Sequence, residues 1–271
     1  IKEDTMLPIE ELKKREFNIF ELMAISKTVY KTCFKSILDI SILLGLPINI
    51  FLSYIIVSMF NFMDANNIVG AYTNVEQMKN LLVNGTFEKL GLYYIVIIAV
   101  QGALIPLVTM AVARVTEDLL YGKITRSFDA IKESFSCGAV LIIASLIYEF
   151  IIFTGIMLFI IPAIFFYVTL YFYSYAIILD KKGTVEALKY SYILSKGRFL
   201  KTAVPVFVIF VMDYSINNLI SYVFAVFNMG VAGDILAGIV SITISCFFLV
   251  TSTLFYVNRK AVAGECPNLG N

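Results

Sequence analysis

The sequence predicts an all-α integral membrane protein with six transmembrane helices. They are arranged as three repeats, each an amphipathic interfacial helix followed by a transmembrane hairpin. Three observations carry this reading: six long apolar segments, a one-sided distribution of Lys and Arg, and a short pattern that recurs ahead of successive segment pairs. Composition agrees, with 59% hydrophobic and 15% charged residues. A soluble domain sits near 45–50% and about 25%.

A helix needs about 20 apolar residues to cross a hydrocarbon core of about 30 Å. The candidate spans are 37–62, 91–113, 138–158, 161–179, 203–228 and 235–257. The third and fourth form one almost unbroken apolar run, punctuated by Gly155 and Pro162. It reads as a tight hairpin, because a single kinked span would carry Lys181 to Lys201 to the other side and break the charge rule.

Charge sets the orientation. Of 21 Lys and Arg residues, 19 fall on one side of the six spans, and only Lys79 and Lys89 fall on the other. Lys and Arg are retained in short cytoplasmic loops, so both termini are expected in the cytoplasm and the chain in the cytoplasmic membrane. Residues 1–16 and 258–271 then form cytoplasmic tails around a membrane domain at 17–257. The tail at 1–16 is polar and charged, so it does not read as a signal peptide. The start at Ile1 reads as a missing or processed N-terminus.

The loop at 63–90 is the longest on the far side. Val75 to Val83 is expected to form a short helix with Gly85 just past its end. Asn84-Gly85-Thr86 fits a glycosylation sequon, a weak signal alone.

The near-side segments repeat. Residues 128–135 read Phe-Asp-Ala-Ile-Lys-Glu-Ser-Phe, and residues 185–192 read Val-Glu-Ala-Leu-Lys-Tyr-Ser-Tyr, at an offset of 57. A fainter copy lies at 22–29. The apolar positions recur at i, i+3 and i+7, one face of a helix. They are Leu22, Ile25 and Val29; Phe128, Ile131 and Phe135; and Val185, Leu188 and Tyr192. Lys189, Lys196 and Arg198 supply charge around the third copy, which Gly197 is expected to end. Such helices can lie in the headgroup plane or serve as elbows that brace the hairpins.

Three stretches carry a resemblance. The first is Glu21-Leu22-Met23-Ala24 through Tyr30-Lys31-Thr32-Cys33-Phe34, leading into Leu43-Leu44-Gly45-Leu46-Pro47. The second is Gly155-Ile156-Met157-Leu158-Phe159-Ile160-Ile161-Pro162. The third is Ile177-Ile178-Leu179-Asp180 followed by Ala187-Leu188-Lys189-Tyr190-Ser191-Tyr192-Ile193-Leu194-Ser195-Lys196-Gly197-Arg198-Phe199, the most specific of the three. Together they resemble the membrane domain of bacterial glycerophosphodiester phosphodiesterases and its uncharacterised stand-alone six-span relatives, over nearly the whole chain. The resemblance implies the fold and no catalytic residue: in the fused enzymes, catalysis belongs to a separate soluble barrel with metal-binding His and acidic residues.

The residue inventory points the same way. His is absent, which removes the commonest general base, metal ligand and pH switch. The four Cys (Cys33, Cys137, Cys246, Cys266) show no C-x-x-C spacing, so neither a disulfide nor a thiolate metal site is expected. Nucleotide-binding glycine motifs are missing. The reading is no enzyme, no metal, no cofactor and no nucleic acid. Its partners are membrane lipid and a membrane or cytoplasmic protein, with oligomeric state open.

Two carboxylates sit deep in spans. Glu149 and Asp213 each lie roughly 15 Å from the near side at 1.5 Å per residue. A carboxylate there marks a pathway, a relay or a buried partner, or serves as interhelical glue. Asp213, Asn217 and Ser221 make one polar stripe on the fifth span. The functional reading of the carboxylate pair is a proton or substrate site between spans three and five; the other is hydrogen-bonded glue between helices. Small-residue stripes at Ser41, Gly45, Asn49 and Ser53 and at Gly238, Ser241, Ser245 and Ser252 suggest close helix packing.

The function expected is a non-catalytic membrane module that organises lipid or a partner protein. The alternative is a small permease, or an export or immunity component, using Glu149 and Asp213. A third reading, an intramembrane lipid-modifying enzyme, has the residue inventory against it.

Overall fold

The computed structural model describes residues 12, 15–68, 75–227 and 230–264. The N-terminal tail apart from Leu12, Arg15 and Glu16, the loop at 69–74, residues 228–229 and the C-terminal stretch with Cys266 lie outside the described residues. Among the described residues there is helix and no strand. Six helices are long and apolar enough to cross a membrane.

In chain order the elements are α1 (Ile19–Thr32), α2 (Phe34–Ala65), α3 (Val75–Val83), α4 (Thr86–Leu120), α5 (Ser127–Ser136), α6 (Gly138–Leu158), α7 (Ile160–Thr169), α8 (Tyr173–Asp180), α9 (Thr184–Ser195), α10 (Phe199–Phe227) and α11 (Gly230–Gly264). The six spans are α2, α4, α6, α7 with α8, α10 and α11. The end of the bundle that carries most of the Lys and Arg is called the basic face below.

α1 begins with a capping box. The Glu21 carboxylate accepts the Asn18 backbone amide at 2.9 Å, and the Asn18 side chain accepts the amide of Glu21. The first span contains one π turn, Ser41–Gly45, just before Pro47. Proline has no N–H to give the carbonyl four residues back, and its ring crowds that carbonyl. A π turn is the local way around it.

Helices continue past the apolar segments. The second span runs from Thr86 to Leu120, and the sixth span, α11, continues to Gly264. A helix does not end where the bilayer ends; it ends where a residue breaks it, here near Gly122 at φ 73°. The expected tail at 258 is therefore helix as far as Gly264, and Asn258 and Arg259 are buried parts of the bundle.

The third and fourth spans form the expected hairpin around Phe159. Its tightness depends on Gly155. A Cβ there would lie 2.9 Å from the backbone of Ala163.

The fourth span is not one helix. It breaks at Leu170–Phe172 between α7 and α8. The buried Ser191 hydroxyl of α9 satisfies the break: it accepts the Phe172 amide at 3.0 Å and donates to the Thr169 carbonyl at 3.0 Å. Buried backbone groups must be paired, and in a span only another segment can supply the partner.

Packing differs along the spans. In α10 the buried residues are Thr202, Pro205, Val206 and Ile209, all toward the basic face. In α4 burial runs from Gly102 to Leu120, apart from Thr86. α11 is buried almost continuously from Val250 to Tyr256. An aromatic cluster of Phe172, Tyr175, Phe255 and Tyr256 sits there, with Tyr175 and Tyr256 stacked at 5.7 Å. Toward the opposite face many described side chains of α10 and α11 are exposed, among them Tyr214, Leu219, Tyr222, Ile235 and Leu236.

Candidate functional site: an intramembrane crevice

The uncovered side of α10 and α11 faces a crevice of about 850 Å³. Three stripes line it. α2 supplies Gly45, Asn49 and Ser53; α10 supplies Asp213, Asn217 and Ser221; α11 supplies Gly238, Ser241, Ser245 and Ser252. Tyr167 and Tyr171 close it from the fourth span, and Ile105, Val108 and Thr109 from the second. It runs from Tyr171 and Ser252 toward Phe224 and Ala237. Its size falls within the range of about 300–1,000 Å³ usual for small-molecule sites.

Close helix approach makes the walls. A Cβ on Gly45 would meet Ile242 at 2.7 Å, so the first and sixth spans touch there only because Gly45 has no side chain. One turn further, Gly238 faces Asn49. The floor is held by Tyr171, whose hydroxyl shares a hydrogen bond with Ser252 at 2.7 Å. Beside it the Ser41 hydroxyl meets the Cys246 thiol at 3.4 Å.

Asp213 is the centre of the polar wall. Its Oδ1 accepts Ser245 Oγ at 2.7 Å and Asn217 Nδ2 at 2.9 Å. Asn217 also donates to Ser245 Oγ at 3.0 Å. The three side chains tie α10 to α11 and still line the open side. Sequence spacing placed Asp213 with Asn217; it did not identify Ser245 as the partner across the helix pair.

Glu149 is elsewhere. The packing lends no support to a site between spans three and five: the third span packs on the second and fourth spans and on α9, and the fifth on the sixth and on α7. Glu149 does not line the crevice. Its side chain lies against Gly102 of the second span, within 3.4 Å of where a Cβ would stand. Among the described residues it makes no hydrogen bond or ion pair. Tyr167, from the intervening span, lies within electrostatic reach of both carboxylates.

The three helices near the basic face distribute their stripes differently. In α1, Leu22 and Val29 are fully buried and Ile25 partly so, against the protein. In α5, Phe128 and Phe135 are exposed, Ile131 is half-buried, and Ala130 and Ser134 are buried instead. In α9, Leu188 is buried with Ala187 and Ser191, while Val185, Tyr192, Lys189 and Lys196 are exposed. The apolar stripe alone did not say which side meets protein.

Ion pairs knit this face. Glu16 meets Lys201 at 2.6 Å and Arg259 at 3.1 Å, and also Arg198. The hydrogen bond from Lys201 holds the Glu16 carboxyl below its usual range. The charges of Arg259, Arg198 and Lys201 add to that effect, and burial opposes it. Arg114 pairs with Glu117, Asp118 and Glu133, and Lys181 with Glu133. Asp180 takes Lys260 and the Tyr256 hydroxyl. Arg198 was read as interfacial charge; its partner Glu16 was not foreseen, because charges 182 residues apart give no local pattern.

Among the described residues no group of three or more His, Cys, Asp or Glu is arranged to hold a metal ion. Comparison with family models, curated proteins and solved structures finds no match to this chain.

Proposed function

We propose that this chain is a non-catalytic, multi-pass protein of the cytoplasmic membrane, with both termini in the cytoplasm, that holds a polar-headed lipid in its intramembrane crevice. The observation that carries this reading is the convergence of the polar stripes of the first, fifth and sixth spans on one crevice, with Asp213 in its wall. The wall offers an acceptor and amide and hydroxyl donors for a headgroup. Phe210, Ile209 and Leu52 offer apolar surface for a chain. The absence of His from the sequence and the resemblance to a membrane domain without catalytic residues support a non-catalytic role.

Three units, each an interfacial helix and a hairpin, belong to the same proposal. Support comes from Ala130 and Ser134 of α5 and Ala187 and Ser191 of α9, matching positions of the repeated pattern that are buried in both.

The test is photolabelling in nanodiscs with a phospholipid carrying a diazirine on its acyl chain. Crosslinks are expected at Asn49, Ser53 and Ser241, and are expected to vanish in Gly238→Phe, which fills the crevice, while crosslinks on the lipid-facing Tyr222 persist. A wild-type protein labelled only on its outer belt would sink the proposal.

A second reading, a small permease or an export or immunity component, takes support from the Asp213–Asn217–Ser245 cluster. It requires Asp213→Asn to abolish solute movement in proteoliposomes while leaving the fold intact.

A further inference from the structure

We infer that the basic face carries a second lipid site, distinct from the crevice, in which Lys201 and Arg259 bind the phosphate of an anionic phospholipid. A cleft of about 410 Å³ lies between the N-terminal segment, the start of α10 and the end of α11. Lys201, Arg259 and Glu16 line it, together with Leu200 and Val204.

Lys201, Arg259 and Arg198 bring three positive charges to the one Glu16 carboxylate. The Arg259 side chain is only 4% exposed, fixed by Glu16 through Nη1 and by the Thr202 hydroxyl through Nη2 at 3.3 Å. Lys201 stays largely exposed, and among the described residues it gives one of its three ammonium hydrogens, to Glu16. The site therefore has a fixed guanidinium, a mobile ammonium with donors to spare and a net positive field. An anionic phosphate answers that excess of positive charge.

The apolar wall selects a lipid over free phosphate. Leu200 is 73% exposed and Val204 56% exposed, one turn apart at the mouth of the cleft. Acyl chains cover such surface; a hydrated ion does not. Glu16 competes with the ligand as an internal anion, so its removal strengthens lipid binding.

The experiment is native mass spectrometry of the full chain titrated with phosphatidylglycerol, phosphatidylcholine or inorganic phosphate. Preferential retention of phosphatidylglycerol is expected, with no competition from phosphate at equal concentration. Lys201→Gln is expected to weaken the preference about fivefold, since a basic side chain near an anionic lipid surface is worth about 1 kcal/mol. Glu16→Gln is expected to strengthen it. Lys201 is exposed, so its variant folds even if Glu16→Gln loosens the N-terminal segment. Equal retention of the two lipids, competition by inorganic phosphate, or a preference unchanged in Lys201→Gln would each overturn the inference. Crevice photolabelling in Lys201→Gln reads the other site independently.

Discussion

The hydroxyl of Ser191, on a helix outside the spans, accepts the backbone amide of Phe172 inside the fourth span at 3.0 Å. The same oxygen donates to the Thr169 carbonyl. One side chain thereby lets a membrane segment change direction without leaving its backbone unpaired. Removing it strands two buried groups, at about 1–3 kcal/mol for each unsatisfied partner. Ser191→Ala is expected to lower the unfolding temperature in detergent, with Ser191→Thr closer to wild type. An Ala variant as stable as wild type would mean that water or a backbone shift satisfies the break.

Glycines at two contacts differ in what they face. A methyl at Gly155 meets the backbone of Ala163, whereas a methyl at Gly45 meets the Cγ2 methyl on the branched β-carbon of Ile242. Both contacts are too close for a methyl, but a branched side chain, although stiff at χ1, gives more readily than a hairpin backbone. Overpacking costs about 1–3 kcal/mol. Gly155→Ala is expected to be the more destabilising of the two, read by thermal unfolding of both variants side by side.

The N-terminal segment is docked by charge and by Asn258, which donates to the carbonyls of Leu12 and Arg15 at 2.6 and 2.8 Å and accepts the Phe17 amide at 3.1 Å. The Glu16 carboxyl titrates below its ordinary 4.5 because of its hydrogen bond from Lys201 and the nearby Arg259 and Arg198 charges. A lowered folded-state pKa contributes stability above pH 4.5 that is lost as pH falls through the folded value. Hydrogen-exchange protection of the Phe17 and Asn18 amides, taken relative to their intrinsic exchange rates, is expected to fall at low pH. In Glu16→Gln it should already be weak at neutral pH and lose this pH dependence.

Orientation is tested with thiols. Burial pushes the Cys33 thiol up to about 12, so it stays unreactive to maleimide at pH 8. Cysteine placed at Lys79 or Lys89 is expected to react with an impermeant maleimide in intact cells. Cysteine at Lys132 or Lys189 should react only after permeabilisation. The opposite pattern would invert the proposed topology.

Much of this molecule was legible in the chain. Apolar length marked six segments, Gly155 and Pro162 marked the hairpin, and periodicity marked the stripes on α2, α10 and α11. Each is a property of one helix or one turn, written in neighbouring residues. The break at Leu170–Phe172 was not legible, because the residue that satisfies it, Ser191, lies on another helix.

Residue order alone says how many helices are long and apolar enough to cross a membrane, where charge accumulates and which faces are polar. Packing brings three polar faces together in one crevice, leaves Glu149 out of it and sets Glu16 against Lys201, Arg198 and Arg259. The physical reason lies in the surroundings. Lipid tails are as apolar as leucine, so hydropathy marks a span without saying which face meets protein. That choice rests on steric fit and paired polar groups, such as Gly45 against Ile242 and Ser245 on Asp213, between residues far apart in the chain.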